Sequence, residues 1–439
     1  MSFSASHRRW LAPCSLGLLL MLGSGLWRVH NSSSQVSLKP LVPPLPQDPT
    51  IQAFFNQSEA NVYTEPYRQI TRYGDNLERV VIDSIAQATA TVDIAIQELN
   101  LLGITEALVS SQQRGVQVRL VLENDYADAS QVKALQHLDQ AKIARIDDTA
   151  DGSKGSGLMH HKFVVIDGRQ VVTGSANFTY SGIHGDADTA QSRGNANVLL
   201  KIDNEAIAQS FLQEFNRMWG DGPGAQSDSQ FGLQKSPLPA QSLTLPTSTV
   251  TLQFSPVSPS MPWEQSVNGL IGRTLQQSTR QIDLALFVFS EQPIADQLQR
   301  QSQQGTEIRA LIDPGFAYRS YSEALDMLGV AIADQRCNVE DGNNLWSQPI
   351  ESVGMPKLPI GDKLHHKFAV IDEQTVIVGS QNWSHAANTN NDETLLVIQN
   401  PTVAAHFNRE FERLYREPLI GETSSLAQKS ESARQRCSF

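Results

Sequence analysis

Two stretches of this chain carry the same residues at the same spacing. His160, Lys162, Asp167, Gly174, Ser175 and Asn177 recur as His365, Lys367, Asp372, Gly379, Ser380 and Asn382, at a constant offset of 205 residues. Each copy supplies one imidazole, one ammonium group and neutral hydrogen-bonding side chains. Two copies facing each other across a pseudo-twofold axis hold two of each, a set suited to a phosphodiester. The ammonium groups of Lys162 and Lys367 offset the charge that grows on the non-bridging oxygens in the transition state. Ser175, Asn177, Ser380 and Asn382 are expected to donate further hydrogen bonds to those oxygens. One histidine attacks phosphorus and becomes phosphorylated. The other protonates the leaving alcohol and then deprotonates the incoming water. In-line displacement needs the two histidines on opposite sides of one phosphorus, which is a reason for saying the motif twice.

The elements that must position these residues are short. "FVVID" and "FAVID" read as strands, as do "QVVTGS" and "TVIVGS", and "DGR" and "DEQ" fall at the turns between them. Each motif is therefore predicted to be a β-hairpin. Residues i and i+2 of a strand share a face, so His160 projects with Lys162 and His365 with Lys367. Asp167 and Asp372 have the opposite parity and are expected to brace the turn or backbone rather than touch substrate. His161 and His366 face away and are expected to pack or bond locally. Phe178 and Trp383, next to the asparagines, are expected to pack.

The repeat extends well beyond the motif. "DNLERVVIDSIAQATA" places Leu77, Val80, Val81, Ser84, Ile85 and Ala88 on one helical face, with Asp75 or Asn76 able to cap it. "TVDIAIQEL" and "QIDLALFVF" alternate like strands. Each is followed by an amphipathic stretch ending at Gly115 or Gly305 and then by a further strand, "VQVRLVLE" or "TEIRALID". "FLQEFNRMW" and "FNREFERLY" close the halves as matching helices. Strands alternating with amphipathic helices in a duplicated unit predict an α/β fold with a largely parallel or mixed sheet and helices packed outside.

On these residues the chain resembles the phospholipase D superfamily, whose HKD motif both copies match. The resemblance spans about residues 60 to 420. It implies two pseudo-symmetric halves packed into one α-β-α-β-α body with a single shared active site and no cofactor. The conserved letters of the HKD motif would make His160, Lys162, Asp167, His365, Lys367 and Asp372 the catalytic set, with no metal. Such relatives often have an acidic residue downstream that orients a catalytic histidine of the opposite half. Glu393 stands in that column of the second half and Asn197 in the same column of the first. A carboxylate stabilises an imidazolium, whereas an amide only orients its ring. Crossed pairing would put Glu393 on His160, as nucleophile, and Asn197 on His365, as general acid and base.

The organisation expected along the chain is an export signal or membrane anchor (1–30), a Ser/Pro-rich tether (31–50), the first half (51–222), a linker (223–249), the second half (250–420) and a polar tail (421–439). Arg8 and Arg9 precede the apolar run "LGLLLMLGSGLW", the composition of an export signal or marginal anchor. "PLVPPLP" favours extended polyproline geometry and a semi-rigid spacer. Cys337 and Cys437 are able to form one disulfide in an oxidising compartment. The loops after Tyr180 and before His365 flank the motifs and are placed to shape a substrate channel. His184 and His385 lie in polar loops there, and Trp346 with nearby prolines is able either to pack or to meet acyl chains.

The formal net charge is −12. That balance argues against a dedicated duplex-DNA binder, which is ordinarily basic. The expected activity is phospholipase D-type hydrolysis of phospholipids at a membrane surface, with transfer of the phosphatidyl group to alcohols as a variant. An exported endonuclease acting on DNA or RNA uses the same residues and is the alternative. A cardiolipin synthase-like phosphatidyltransferase is third, because those enzymes commonly carry two amino-terminal membrane spans. Two intact motifs argue against a non-catalytic binding module. One chain carries both half-sites, so a monomer is sufficient and no obligatory protein partner is expected.

Overall fold

The computed structural model describes residues 38–125, 129–153, 157–340 and 342–437. The apolar segment 1–30 and the start of the tether lie outside them. Among the described residues no helix is long and apolar enough to cross a membrane.

The first half opens with strand β1 (Ile51–Phe55) and helix α1 (Leu77–Ala86). Asn76 caps α1 by accepting from the Arg79 amide, and Leu77, Val81, Ser84 and Ile85 are buried. Glu78 is buried with them, and Val80 is only half-buried. The reason is chemical: the Glu78 carboxylate accepts from the Tyr67 hydroxyl and from His184. The chain continues through β2 (Thr91–Ile96), α2 (Leu102–Gln113), β3 (Gln117–Leu122), α3 (Ala129–Gln140) and β4 (Ala144–Asp147). The motif hairpin is β5 (Lys162–Ile166) and β6 (Gln170–Gly174), followed by β7 (Val198–Asp203) and α4 (Glu205–Trp219). These strands form one seven-stranded sheet in the order β1-β7-β6-β5-β2-β3-β4. The pairs β2/β3 and β3/β4 are parallel, and the hairpin side is antiparallel.

The second half repeats this plan. Strands β8 (Gln241–Thr244) and β9 (Thr249–Ser255) precede α5 (Val267–Leu275), β10 (Gln281–Leu286), α6 (Gln292–Gln303) and β11 (Glu307–Ile312). After β12 (Val353–Met355) come the second motif hairpin, β13 (Lys367–Ile371) and β14 (Thr375–Gly379), then β15 (Glu393–Gln399) and α7 (Pro401–Leu414). With β16 (Leu419–Ile420) they form a nine-stranded sheet in the order β8-β9-β15-β14-β13-β10-β11-β12-β16. The chain has the mixed α/β architecture that the alternating pattern predicts.

Both faces of each hairpin strand are buried. Phe163 and Val165 of β5 point into a core shared by the halves, while Val164 and Ile166 point into a core under α1 and α2. The shared core is closed by α4 and α7. Phe211 of α4 meets Phe163 at 5.1 Å and Phe254 of the other half at 5.3 Å. Phe407 of α7 meets Phe368 at 5.2 Å and Phe55 of the other half at 5.1 Å. Edge-to-face pairs of this kind contribute about 0.5–1.5 kcal/mol each beyond their buried area. The two "F…EF" helices thus join the halves.

Three expected connectors are built into the body. In the tether, the carbonyls of Pro43 and Pro46 accept from Arg409 and His406 of α7, and Asp48 is buried against Asn400. A polyproline strand leaves its carbonyls unpaired, and α7 uses them, so residues 38–50 are not a free spacer. The linker 223–249 contains a turn of 3-10 helix (Gly232–Gln234) and the edge strand β8. The polar tail contains helix α8 (Ser424–Cys437), tied down by a Cys337–Cys437 disulfide. Leu426 and Ala433 supply its buried face.

Candidate active site

Each motif histidine sits two residues before its strand, and that extension pairs across the halves. Met159 lies beside Asp392 in a parallel bridge: the His160 amide donates to the Asp392 carbonyl at 3.0 Å, and the Asp392 amide donates to the Leu158 carbonyl at 2.8 Å. Leu364 lies beside Ala196 in the same way, with His365 donating to the Ala196 carbonyl at 3.1 Å and Ala196 to the Lys363 carbonyl at 2.8 Å. The residue after each bridge therefore meets the opposite histidine. His160 Nδ1 is 2.6 Å from Glu393 Oε2, and His365 Nδ1 is 3.0 Å from Asn197 Oδ1.

The amide of Asn197 fixes a tautomer. Its Nδ2 donates to the Gly182 carbonyl, and its Oδ1 accepts from the Ser175 hydroxyl at 2.7 Å. Oδ1 therefore faces His365 as an acceptor, Nδ1 carries the proton, and Nε2 keeps its lone pair. The Glu393 carboxylate likewise holds the Nδ1 proton of His160. Both histidines line one cleft of about 310 Å³, together with Asn177, Asn382, Glu98 and Lys363 among others.

Lys162 and Lys367 are fully buried behind the histidines. Lys162 donates to Gln97 Oε1 at 3.0 Å and to the His160 carbonyl at 2.8 Å. Lys367 donates to the His365 carbonyl at 2.9 Å, and its ammonium lies 4.9 Å from the centre of the Phe287 ring. Burial lowers the pKa of Lys162 to about 8, against the pull of Glu393 and Glu98. Lys367 falls well below its ordinary value through burial and the charge of Lys162. Both histidines are also held well below the usual range, first by burial and then by the two lysines. Burial raises Glu393 to about 7. Burial thus disfavours the charged forms of these histidines and lysines, and an anion beside them favours the cationic forms by offsetting their charge.

Two expected contacts, and the place of two motif aspartates in the catalytic set, need correction. Ser175 and Ser380 are fully buried and do not face the cleft. Ser175 donates to Asn197 Oδ1 and accepts from the Val198 amide; Ser380 bonds Glu393 and accepts from the Thr394 amide. The chain turns sharply after Gly174 and Gly379, where a Cβ would lie 2.2 Å from the Val198 carbonyl oxygen and 2.0 Å from that of Thr394. That close approach swings each hydroxyl towards the neighbouring strand, so the serines brace the pair that orients each histidine. Asp167 and Asp372, which the motif puts with the histidines and lysines, do not line the cleft and brace the backbone as strand parity predicts. Asp167 accepts from the amides of Thr89, Ala90 and Thr91, and Asp372 from those of Thr279, Arg280 and Gln281. They lock the loop entering β2 or β10 to the hairpin turn, at the far end of the strand from the histidine.

Asn177 and Asn382 do line the cleft. Asn177 donates to Glu98 Oε1 at 2.8 Å. His161 bonds Thr394 and Glu214, and His366 bonds Glu410, all buried. Phe178 and Trp383 are fully buried, and Trp346 packs in the core of the second half. His184 is also buried, held by Tyr63 and Glu78, rather than lying in an open loop. His385 is exposed, 4.0 Å from Glu291.

Two acids were missed. Glu123 Oε2 accepts from the Met159 amide at 2.6 Å, and Asp313 Oδ2 accepts from the Leu364 amide at 2.8 Å. They follow β3 and β11 at matching positions of the repeat and pin the strand just before each histidine. The signal was present: "VRLVLE" and "IRALID" end on an acid in the same column. Burial beside Asp148 raises Glu123 to about 7.

A family model described as "Cardiolipin synthase, PLD-like domain" matches residues 81–219 and again 271–415. The chain belongs to the phospholipase D superfamily. Among curated proteins, a mitochondrial cardiolipin hydrolase of Chlamydomonas reinhardtii is 33% identical over 31% of this chain and 55% of its own length. A phospholipase D of Rickettsia prowazekii (strain Madrid E) is 33% identical over 31% of this chain and 60% of its own. The match thus spans a little over half the length of these relatives. A solved phosphatidylserine synthase from Haemophilus influenzae Rd KW20 is similar in fold across 89% of this chain and 93% of its own, with a TM-score of 0.56 and 13% identity. Superfamily membership accounts for the shared cleft at the seam of two repeats.

Proposed function

We propose that this protein is a phospholipase D-type phosphodiesterase that hydrolyses phospholipids through a phosphorylated His160. The observation that carries the reading is the crossed pair of contacts, a carboxylate on His160 and an amide on His365, at the two sides of one cleft. His160 Nε2 donates its lone pair to phosphorus, and the bond to the leaving oxygen breaks. The ring becomes cationic, and the Glu393 carboxylate stabilises it through the Nδ1 proton. His365, protonated once the anionic diester has entered, gives its Nε2 proton to the leaving alcohol. It then takes a proton from water, which attacks phosphorus and breaks the phosphorus–nitrogen bond. The lysines, with the amides of Asn177 and Asn382, hold the non-bridging oxygens. None of these steps draws on a metal ion.

The names of the relatives, cardiolipin hydrolase and phospholipase D, support a lipid diester. The Cys337–Cys437 disulfide supports an oxidising compartment, in keeping with an export signal or anchor at residues 1–30 and with action at a membrane surface. The test is turnover in EDTA of phospholipid vesicles and, separately, of single-stranded and duplex DNA. Lipid hydrolysis that disappears in His160→Ala and in His365→Ala is expected, with phosphate trapped on the His160 peptide. DNA cleavage without lipid turnover would show an endonuclease instead. Phosphate trapped on the His365 peptide would reverse the two roles.

A further inference from the structure

The reacting groups obey the pseudo-twofold axis; the walls around them do not. His160, Lys162 and Asn177 are matched by His365, Lys367 and Asn382. The repeat also pairs Leu158 with Lys363, Gln97 with Phe287 and Glu98 with Val288. Around His160 the wall is therefore Leu158, Gln97 and Glu98. Around His365 it is Lys363 and Phe287, the latter backed by Phe316 with ring centres 4.7 Å apart. The Phe287 ring centre lies 4.8 Å from that of His365, and the Lys363 ammonium lies 5.9 Å from the same ring.

Lys363 is held by its backbone, and its ammonium lies over the Phe287 ring. Its amide donates to Asn195 Oδ1 and its carbonyl accepts from Ala196, both across the seam between the halves. Its side chain is exposed and lines the cleft, and among the described residues no ion pair engages it. The nearby carboxylate, Asp313, is buried, with its oxygens committed to the amides of Gly315 and Leu364. The charge of Lys363 reaches the site, since it is one of the cations that depress His365 and Lys367.

We infer that Lys363, seated over Phe287 on the His365 side of the cleft, forms a subsite for a negative charge carried by the leaving alcohol. The substrates it selects are phospholipids whose head group itself bears a phosphate. This rests on the proposed lipid phosphodiesterase activity and on His365 as the acid, because the acid stands next to the leaving group. A cationic head group would enter a wall holding Lys363 with Lys367 behind it and is disfavoured there. The carboxylate of Glu98 lies on the opposite wall, beside Asn177.

The test uses the whole chain and three soluble short-chain phosphatidyl esters that differ only in the leaving group: glycerol 3-phosphate, glycerol and choline. Wild type is expected to show a kcat/KM for the phosphate-bearing ester at least fivefold above that for the glycerol ester, shrinking as salt screens the exposed ammonium. Lys363→Glu is expected to lower that ratio at least tenfold and to move the choline ester upward relative to the other two. Lys363→Arg is expected to keep the wild-type order. An unchanged ratio in Lys363→Glu overturns the inference. So does an equal slowing of all three esters, which would mean that Lys363 acts only through its field on His365 and Lys367. If wild type turns over none of the esters but cleaves an oligonucleotide, the lipid reading falls and takes the inference with it; that case is recognised by the inactivity of the unsubstituted protein.

Discussion

At the scale of single residues, the two motif histidines are made unequal by one difference between the repeats. Glu393 and Asn197 occupy the same column, and each reaches the histidine of the other half. Only Glu393 can stabilise an imidazolium by charge. Glu393→Gln keeps an acceptor for the Nδ1 proton but removes that charge. Its kcat should fall about 10–100-fold, as for other residues that hold a reacting histidine, with KM changed much less. Steady-state kinetics and trapping of phosphorylated His160 would check this. The pairing was legible through the family resemblance, which implies an acid in the Glu393 column that orients the histidine of the opposite half. The roles of Ser175 and Ser380 were not, because a side chain next to a sharp glycine turn takes its direction from the strand packed against it.

At the scale of elements, each motif hairpin is anchored at both ends. The bridge to the opposite half holds the histidine end, and the aspartate holds the turn end. The turn residues Asp372 and Glu373 have φ of 52° and 59°, a left-handed pair without a glycine. Partial burial alone would raise Asp372, but the amides of Gln281, Thr279 and Arg280 and the Thr279 hydroxyl hold its carboxyl down to about 2. A depressed carboxyl contributes stability that is present above its unfolded value and lost as pH falls through the folded one. Asp372→Ala should therefore cost roughly 1 kcal/mol near pH 6, on the scale of a lost capping side chain. The difference in unfolding midpoint from wild type should shrink as pH falls from about 4 towards 2. Thermal unfolding of both proteins across that range would check it. A gap that stays constant would mean that the aspartate acts through shape rather than charge. Strand parity alone had already placed this residue off the reacting face.

At the scale of the whole molecule, the linker is part of the site's support. Lys235, nearly fully buried, forms ion pairs with Glu214 of α4 and with Asp392, 2.7 Å away, whose neighbour is Glu393. The Gly232 amide also donates to the Asp392 carboxylate. Arg217 of α4 and Arg413 of α7 pair alike with Glu214 and Glu410, and among the described residues no lysine from outside the helix joins the second pair. Lys235→Met leaves two buried carboxylates facing each other. Removing one partner of a buried ion pair costs about 3–5 kcal/mol. Urea unfolding should show a loss of that size, and kcat should fall because the segment carrying Glu393 is no longer clamped. An unchanged midpoint would show that the cluster relaxes around the gap.

The amino-acid sequence by itself determined the duplication, the α/β class, the hairpins and the paired His-x-Lys motifs. Those features rest on local periodicity, turn residues and spacing, which are written along the chain. The resemblance to the superfamily marked Glu393, and the repeat gave Asn197 as its counterpart. Only the tertiary structure decided that the serines brace, that Glu123 and Asp313 pin the strands, that residues 38–50 and Lys235 are built into the body, and that Lys363 faces Phe287. Each of these depends on side chains that meet across the seam or across long stretches of chain. Their directions follow from packing, which no local pattern records.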